Sequence, residues 1–154
     1  MIAYLLALFI GVVAGLRAMT APAAVSWAAH LGWLRLHDTW LAFLGYAWTP
    51  WILTVLAIVE LVTDQLPSTP SRTVPVQFGA RIAMGALSGA ALGAARGSLL
   101  SGAVAGVVGA VIGTLGGRTA RARLAAAFGR DPLAALTEDA VAILAALLIV
   151  TMIP

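Results

Sequence analysis

Apolar residues follow one another in this chain with so few interruptions that a fold burying them from water on its own is hard to build. Five long segments, Ile2 to Ala18, Pro50 to Leu66, Gln77 to Ala95, Leu99 to Leu115 and Pro132 to Ile153, carry almost no charge, and prolines, glycines and arginines separate them. A helix needs about 20 apolar residues to cross a bilayer. Composition agrees: 62% of the 154 residues are hydrophobic and 10% charged, whereas soluble domains hold about 45–50% and about 25%. The mean hydropathy is +1.02. The pattern predicts an all-α protein, a single polytopic transmembrane helix bundle over residues 1–154 with five or six spans. The segment from Ala21 to Leu34 decides between five and six, since it is apolar but short enough to be re-entrant instead.

All nine basic residues are arginine, and they are scattered or flank apolar segments. No basic stripe with interleaved aromatics exists, so the net charge of +3 points to membrane topology and not to nucleic acid. Arg72 and the group Arg118, Arg121, Arg123 and Arg130 fall on one side, expected to be the cytoplasmic face of an inner (plasma) membrane, with 117–130 as a basic loop or surface-lying amphipathic helix. Six spans put both termini outside; five put the N-terminus inside. Trp27, Trp33, Trp40, Trp48 and Trp51 cluster near the opposite boundary, as an aromatic belt would. The first segment has no basic residue ahead of it and reads as a retained helix, not a cleaved leader. Cysteine is absent, which removes thiolate metal sites and Cys nucleophiles.

Thr49-Pro50 and Asp131-Pro132 both read as a capping residue followed by proline in the first turn of a helix. Pro67, Pro70 and Pro75 mark 67–76 as a rigid loop. The two occurrences of the cap-proline start also suggest halves, 1–67 and 77–154. Gly11-x3-Gly15-x-Arg17 parallels Gly89-x3-Gly93-x2-Arg96. If each half crosses three times, the halves are inverted, the layout of many transporters.

Glycines recur every fourth residue at Gly85, Gly89, Gly93 and Gly97, and again at Gly109, Gly113 and Gly117. Such ridges let helices approach closely in lipid, within a chain or between subunits, and a homo-oligomer, a dimer first, is the expectation. Acidic residues inside apolar segments carry the functional signal. Glu60 lies about 15 Å along the helix from Pro50, and Asp64 follows on the same face. Glu138 and Asp139 lie about two turns into the last helix, and Arg81 and Arg17 are placed to pair with these carboxylates or, for Arg17, to snorkel from a helix end. Carboxylates at that depth mark either a buried packing cluster or an ion or proton site. His30 and His37 are two turns apart but straddle Gly32, so no metal site is expected, and no cofactor. No nucleophile elbow, HExxH, P-loop or dinucleotide fingerprint is present, and no enzyme activity is expected.

The run Glu60-Leu-Val-Thr-Asp64-Gln-Leu-Pro67, with Arg72, Arg81-x3-Gly85 and the earlier Gly15-Leu16-Arg17, resembles a family of small bacterial integral membrane proteins known only as a domain of unknown function. That resemblance implies an all-helical membrane protein and no established activity. The Glu-x3-Asp pattern is also similar to small cation exchangers built from inverted repeats, which carry an acidic motif in both halves; here Glu138-Asp139 stands at a different place in its helix. Together these readings predict a small membrane transporter or channel for a cation, a proton or a small solute. The partners expected are the bilayer and an inorganic cation or proton. The alternative is a scaffold or assembly subunit packing through its glycine ridges.

Overall fold

The computed structural model describes residues 2–65 and 71–153, all helix, turn or loop with no strand among them. Six α-helices lie within the described residues: α1 Ile2–Leu16, α2 Thr20–His30, α3 Thr49–Thr63, α4 Pro75–Ala94, α5 Leu99–Phe128 and α6 Asp131–Thr151. A 3-10 helix, Trp40–Gly45, bridges α2 and α3. Two helices, α5 and α6, are long and apolar enough to cross a membrane, with mean hydropathies of 1.9 and 2.2 over their best 18 residues; α1 and α3 are apolar but shorter.

Glycine sets the spacing of the central three helices. α4 lies antiparallel on α5: a methyl group added at Gly89 would lie 2.8 Å from Gly106 Cα, and one at Gly93 would lie 2.8 Å from Gly102 Cα. α1 runs alongside α5 in the same direction, Gly11 against Gly106 and Gly15 against Ala110 and Gly113. Gly109 and Gly113 in turn meet the α1 backbone at Leu8 and Val12. The backbones are therefore in contact where side chains would ordinarily hold helices 8–10 Å apart. Gly97 does not belong to this ridge. It stands beyond the end of α4 at φ +71, with nothing near its Cβ position, and supplies the left-handed residue that turns the chain toward α5.

α6 folds back on α5 through Gly129, at φ +65. α2 runs antiparallel to α3: the Met19 amide meets Glu60 at one end, and Trp27 Nε1 donates to Thr54 Oγ1 at 3.0 Å toward the other. Trp27 and Trp51 also meet edge to face, 5.0 Å apart. α1 and α2 consequently form a V, its apex the three residues Arg17, Ala18 and Met19. Thr114, halfway along α5, donates to the Gly15 carbonyl at 3.3 Å, so the apex stands at mid-height of the longest helix, about 22 Å from either end of it. The buried core fills the space between the arms with Leu6, Ile10, Val13, Val25 and Ala28, against Ala91, Ala142 and Ala146.

Several local expectations are corrected. Residues 117–128 are not a separate surface helix or loop; they continue α5 without a break. A Cβ at Gly117 would come within 2.5 Å of Leu16 Cδ2 and 2.9 Å of Arg72 Nη1, so an added methyl would displace those side-chain ends. Thr49 is not a cap: the N-cap is Trp48, and the Thr49 hydroxyl donates instead to the Phe43 carbonyl at 2.7 Å. Asp131 likewise sits inside α6, after the N-cap Arg130, with its carboxylate on Arg121. Pro75 opens α4 instead of closing a loop, behind an extended Val74; Pro67 and Pro70 lie outside the described residues. α2 ends at His30, so His30 and His37 share no helix, and His30 Nδ1 lies 3.2 Å from the Gly45 carbonyl.

Candidate functional site

The apex of the V breaks a helix in the interior. α1 ends there with unsatisfied carbonyls and α2 begins with unsatisfied amides, a situation that normally calls for water or capping groups. Charged side chains supply them. Glu60, near the end of α3, accepts the Ala18 and Met19 amides with its two oxygens, both at 2.8 Å. Arg81, in the second turn of α4, donates through Nη1 to the carbonyls of Leu16 at 2.6 Å and Gly15 at 3.2 Å. An anionic group thus faces the positive end of α2 and a cationic group the negative end of α1, the arrangement helix dipoles favour. The two caps are themselves paired, with Arg81 Nη2 3.7 Å from Glu60 Oε1.

Arg17, at the tip, is completely buried. It does not snorkel. Its Nε donates to Asp139 Oδ1 at 2.5 Å, its Nη1 bonds Asp64, and its Nη2 stands 3.9 Å from Glu138 Oε2. Asp64 also lies 3.6 Å from Arg81. Glu138 is gripped by Arg72 through two parallel bonds of 2.5 and 2.8 Å, a bidentate geometry available only to arginine. Gln65 donates to Asp139 at 3.0 Å, and Arg121 Nη1 lies 3.8 Å from Glu138. The structure thus brings Arg17, Glu60, Asp64, Arg81, Glu138 and Asp139 into one cluster, as their spacing suggested. It adds Arg72 and Arg121, which the sequence reading placed on the surface.

The charges balance. Arg17, Arg72, Arg81 and Arg121 face Glu60, Asp64, Glu138 and Asp139, none of these side chains more than 18% exposed. Five of the six acidic residues in the chain are in or beside this network, the fifth being the outlying Asp131 on Arg121. Isolated buried charges are prohibitive, and paired, hydrogen-bonded ones are tolerated. Among the described residues no group of His, Asp and Glu is arranged to hold a metal ion.

A groove of about 240 Å³ opens beside the apex, between α2, α3 and α6. Thr20, Ala23, Ala24, Trp27, Ala57 and Ile58 are among its walls. It is almost wholly apolar, and at Thr20 and Leu61 it abuts the residues that flank the charged cluster.

These features define an all-helical protein with a charge-neutral network buried at an internal helix break. The chain belongs to the family described as Domain of unknown function (DUF4126), whose model matches residues 4–153. No curated protein and no solved structure matches it.

Proposed function

We propose that this protein is a small multi-pass transporter of the inner membrane, in which the network around Arg17 is the working site. The surface supports the membrane. Trp48, Leu100 and Leu148 expose between about two thirds and three quarters of their surface, and apolar side chains cover the outward faces of α3, α5 and α6; an apolar surface this continuous marks contact with lipid or protein. The order of helices supports an inverted layout: α1, α2 and α3 alternate in direction, and α4, α5 and α6 repeat the alternation with the opposite start. A V whose apex stays at mid-height enters and leaves on the tryptophan side, so α3 to α6 would make the crossings, with both termini outside and the α5 end with Arg118, Arg123 and Arg130 in the cytoplasm.

The single observation that carries the transport reading is the broken helix at mid-height, its two ends facing ionisable side chains. Irregular backbone at membrane depth occurs where it lines a site, and intramembrane carboxylates are functional by default. Because each carboxylate is held by arginine or by backbone amides, a proton is a better fit to the network than a metal cation. The test is flux by purified protein in vesicles. Glu60→Gln keeps the size of the side chain and one of its two acceptor oxygens and removes its charge, so it should fold and lose flux; unchanged flux would reject the site.

One observation favours a second reading, a non-transporting scaffold: full charge pairing is also what a packing lock requires. In that case Glu60→Gln changes stability alone, and neither cations nor small anions stabilise the protein in a thermal-shift screen. Such a scaffold, or a homodimer, would use faces other than the glycine ridges, since Gly85, Gly89, Gly93, Gly109 and Gly113 are in contact with helices of the same chain.

A further inference from the structure

We propose that the apex binds a medium-chain monocarboxylate, whose head group replaces the Glu60 carboxylate on the Ala18 and Met19 amides while one proton neutralises Glu60. The inference deepens the transport reading and rests on it for its physiological meaning.

Four buried side-chain polar atoms lack a hydrogen-bond partner among the described residues: Arg17 Nη2, Thr20 Oγ1, Arg81 Nε and Ser88 Oγ. Three of them belong to residues at the helix break. Arg81 caps α1, Arg17 is the tip, and Thr20 is the first residue of α2. Arg17 Nη2 has the Asp139 carboxylate beside it at 2.5 Å, so the donors without a neighbouring acceptor at the break are Arg81 Nε and Thr20 Oγ1. Arginine nitrogens can only donate, and the threonine hydroxyl has a donor free. A buried donor left without an acceptor costs about 1–3 kcal/mol. Two of them, Arg81 Nε and Thr20 Oγ1, beside one backbone break describe a place short of acceptors, which is what an anion supplies.

Charge narrows the ligand. The network holds four arginines against four carboxylates, so an added cation leaves a buried net charge of one sign and an added anion a charge of the other. An anion entering with one proton leaves the balance unchanged. Glu60 is the group placed to take that proton, because its two oxygens occupy the amides the ligand would use. The charge that faces it is Arg81 from α4, at 3.7 Å; the rest of the network, Arg17 from the apex, Asp64 on the same helix, Glu138 and Asp139 from α6, Arg121 from α5 and Arg72 ahead of α4, is paired around Arg81 and Arg17. No covalent bond changes; one proton moves from solvent to a Glu60 oxygen.

Shape supplies the rest. Two amides already set for two carboxylate oxygens favour a carboxylate over a spherical ion. The apolar groove begins at Thr20, one residue past Met19, and runs along Ala23, Ala24, Ala57 and Ile58 to Trp27 and Thr54. A ligand with its head on the amides would lay its hydrocarbon tail there.

The experiment is thermal stability of the full chain in neutral-lipid nanodiscs, titrated with octanoate, acetate and octanol between pH 6 and 8. Octanoate should stabilise, acetate should do so far less, and octanol should have no effect. Uptake of one proton per ligand makes the wild-type affinity for octanoate fall about tenfold per pH unit as pH rises. Glu60→Gln should bind octanoate with no pH dependence. Ile58→Trp, at the exposed lip of the groove and away from the charges, should fold and lose octanoate binding. Octanol equal to octanoate, a wild-type affinity independent of pH, or full binding by Ile58→Trp each overturns the proposal. Binding without flux in vesicles would overturn transport and leave this site standing; flux without binding would do the reverse.

Discussion

Arg17 can be removed without changing the volume of the core by much, and the consequence follows from its partners. In Arg17→Met the thioether fills most of the space, but Asp64 loses a direct bond and Asp139 loses two contacts at 2.5 Å. Asp64 keeps Arg81 at 3.6 Å, and Asp139 keeps only Gln65 among its hydrogen-bond donors. Stranding one partner of a buried pair costs about 3–5 kcal/mol, and the larger part here falls on Asp139. The double variant Arg17→Met/Asp139→Asn removes the stranded charge and should recover at least half of the loss; because Asp139→Asn alone also destabilises, the coupling energy should exceed about 2 kcal/mol. The assay is equilibrium unfolding in mixed micelles at neutral pH, with wild type, both single variants and the double variant. Equal stability of Arg17→Met and wild type, or additive single effects, would refute the network.

Other variants probe the frame around the site. Gly106→Ala should prevent native packing, because the methyl would press on the Gly85 carbonyl group and, at 3.1 Å, on Gly89 Cα. Gly116→Ala meets nothing within 4 Å in the same helix, and it should stabilise by up to about 1 kcal/mol in thermal unfolding. Asp131→Asn breaks a pair whose acid is 61% exposed and should cost less than about 1 kcal/mol, against several for Asp139→Asn by the same assay. Trp27→Phe removes the bond to Thr54 and should cost about 1 kcal/mol, with loss of quenching or shift in the remaining tryptophan emission as a second readout.

Hydropathy and proline placement were enough to locate the apolar cores of the helices, since these are local properties, but not the extension of α5 to Phe128 or the start of α4 at Pro75. The gathering of Glu60, Asp64, Arg81, Arg17, Glu138 and Asp139 was also legible, because a charge inside an apolar run must find a partner. Arg72 and Arg121 were not, although the carboxylates alone outnumber the two arginines first assigned to them. Counting that imbalance would have asked for more cations. Arg121 was obscured by Gly116-Gly117, which looks like a helix break; that Gly117 faces the side chains of Leu16, Arg72 and Glu138 is a tertiary fact with no local trace. Thr49 and Asp131 illustrate the same limit. Each has a side chain that could cap a helix, and each is drawn away by a partner, the Phe43 carbonyl and Arg121, six and ten residues distant. The reversal at Arg17–Met19 was hidden because three residues between two apolar segments look alike whether the helix bends or turns back.

The claim that a charged apex lies inside a bilayer-spanning bundle is most directly tested by cysteine protection. The chain has no native cysteine, so each introduced thiol reports alone. In sealed vesicles Trp33→Cys and Arg123→Cys should react with a membrane-impermeant maleimide from opposite faces, while Ala18→Cys should react from neither until the protein is denatured. Rapid labelling of Ala18→Cys in the folded protein, or labelling of both outer positions from the same face, would contradict the account.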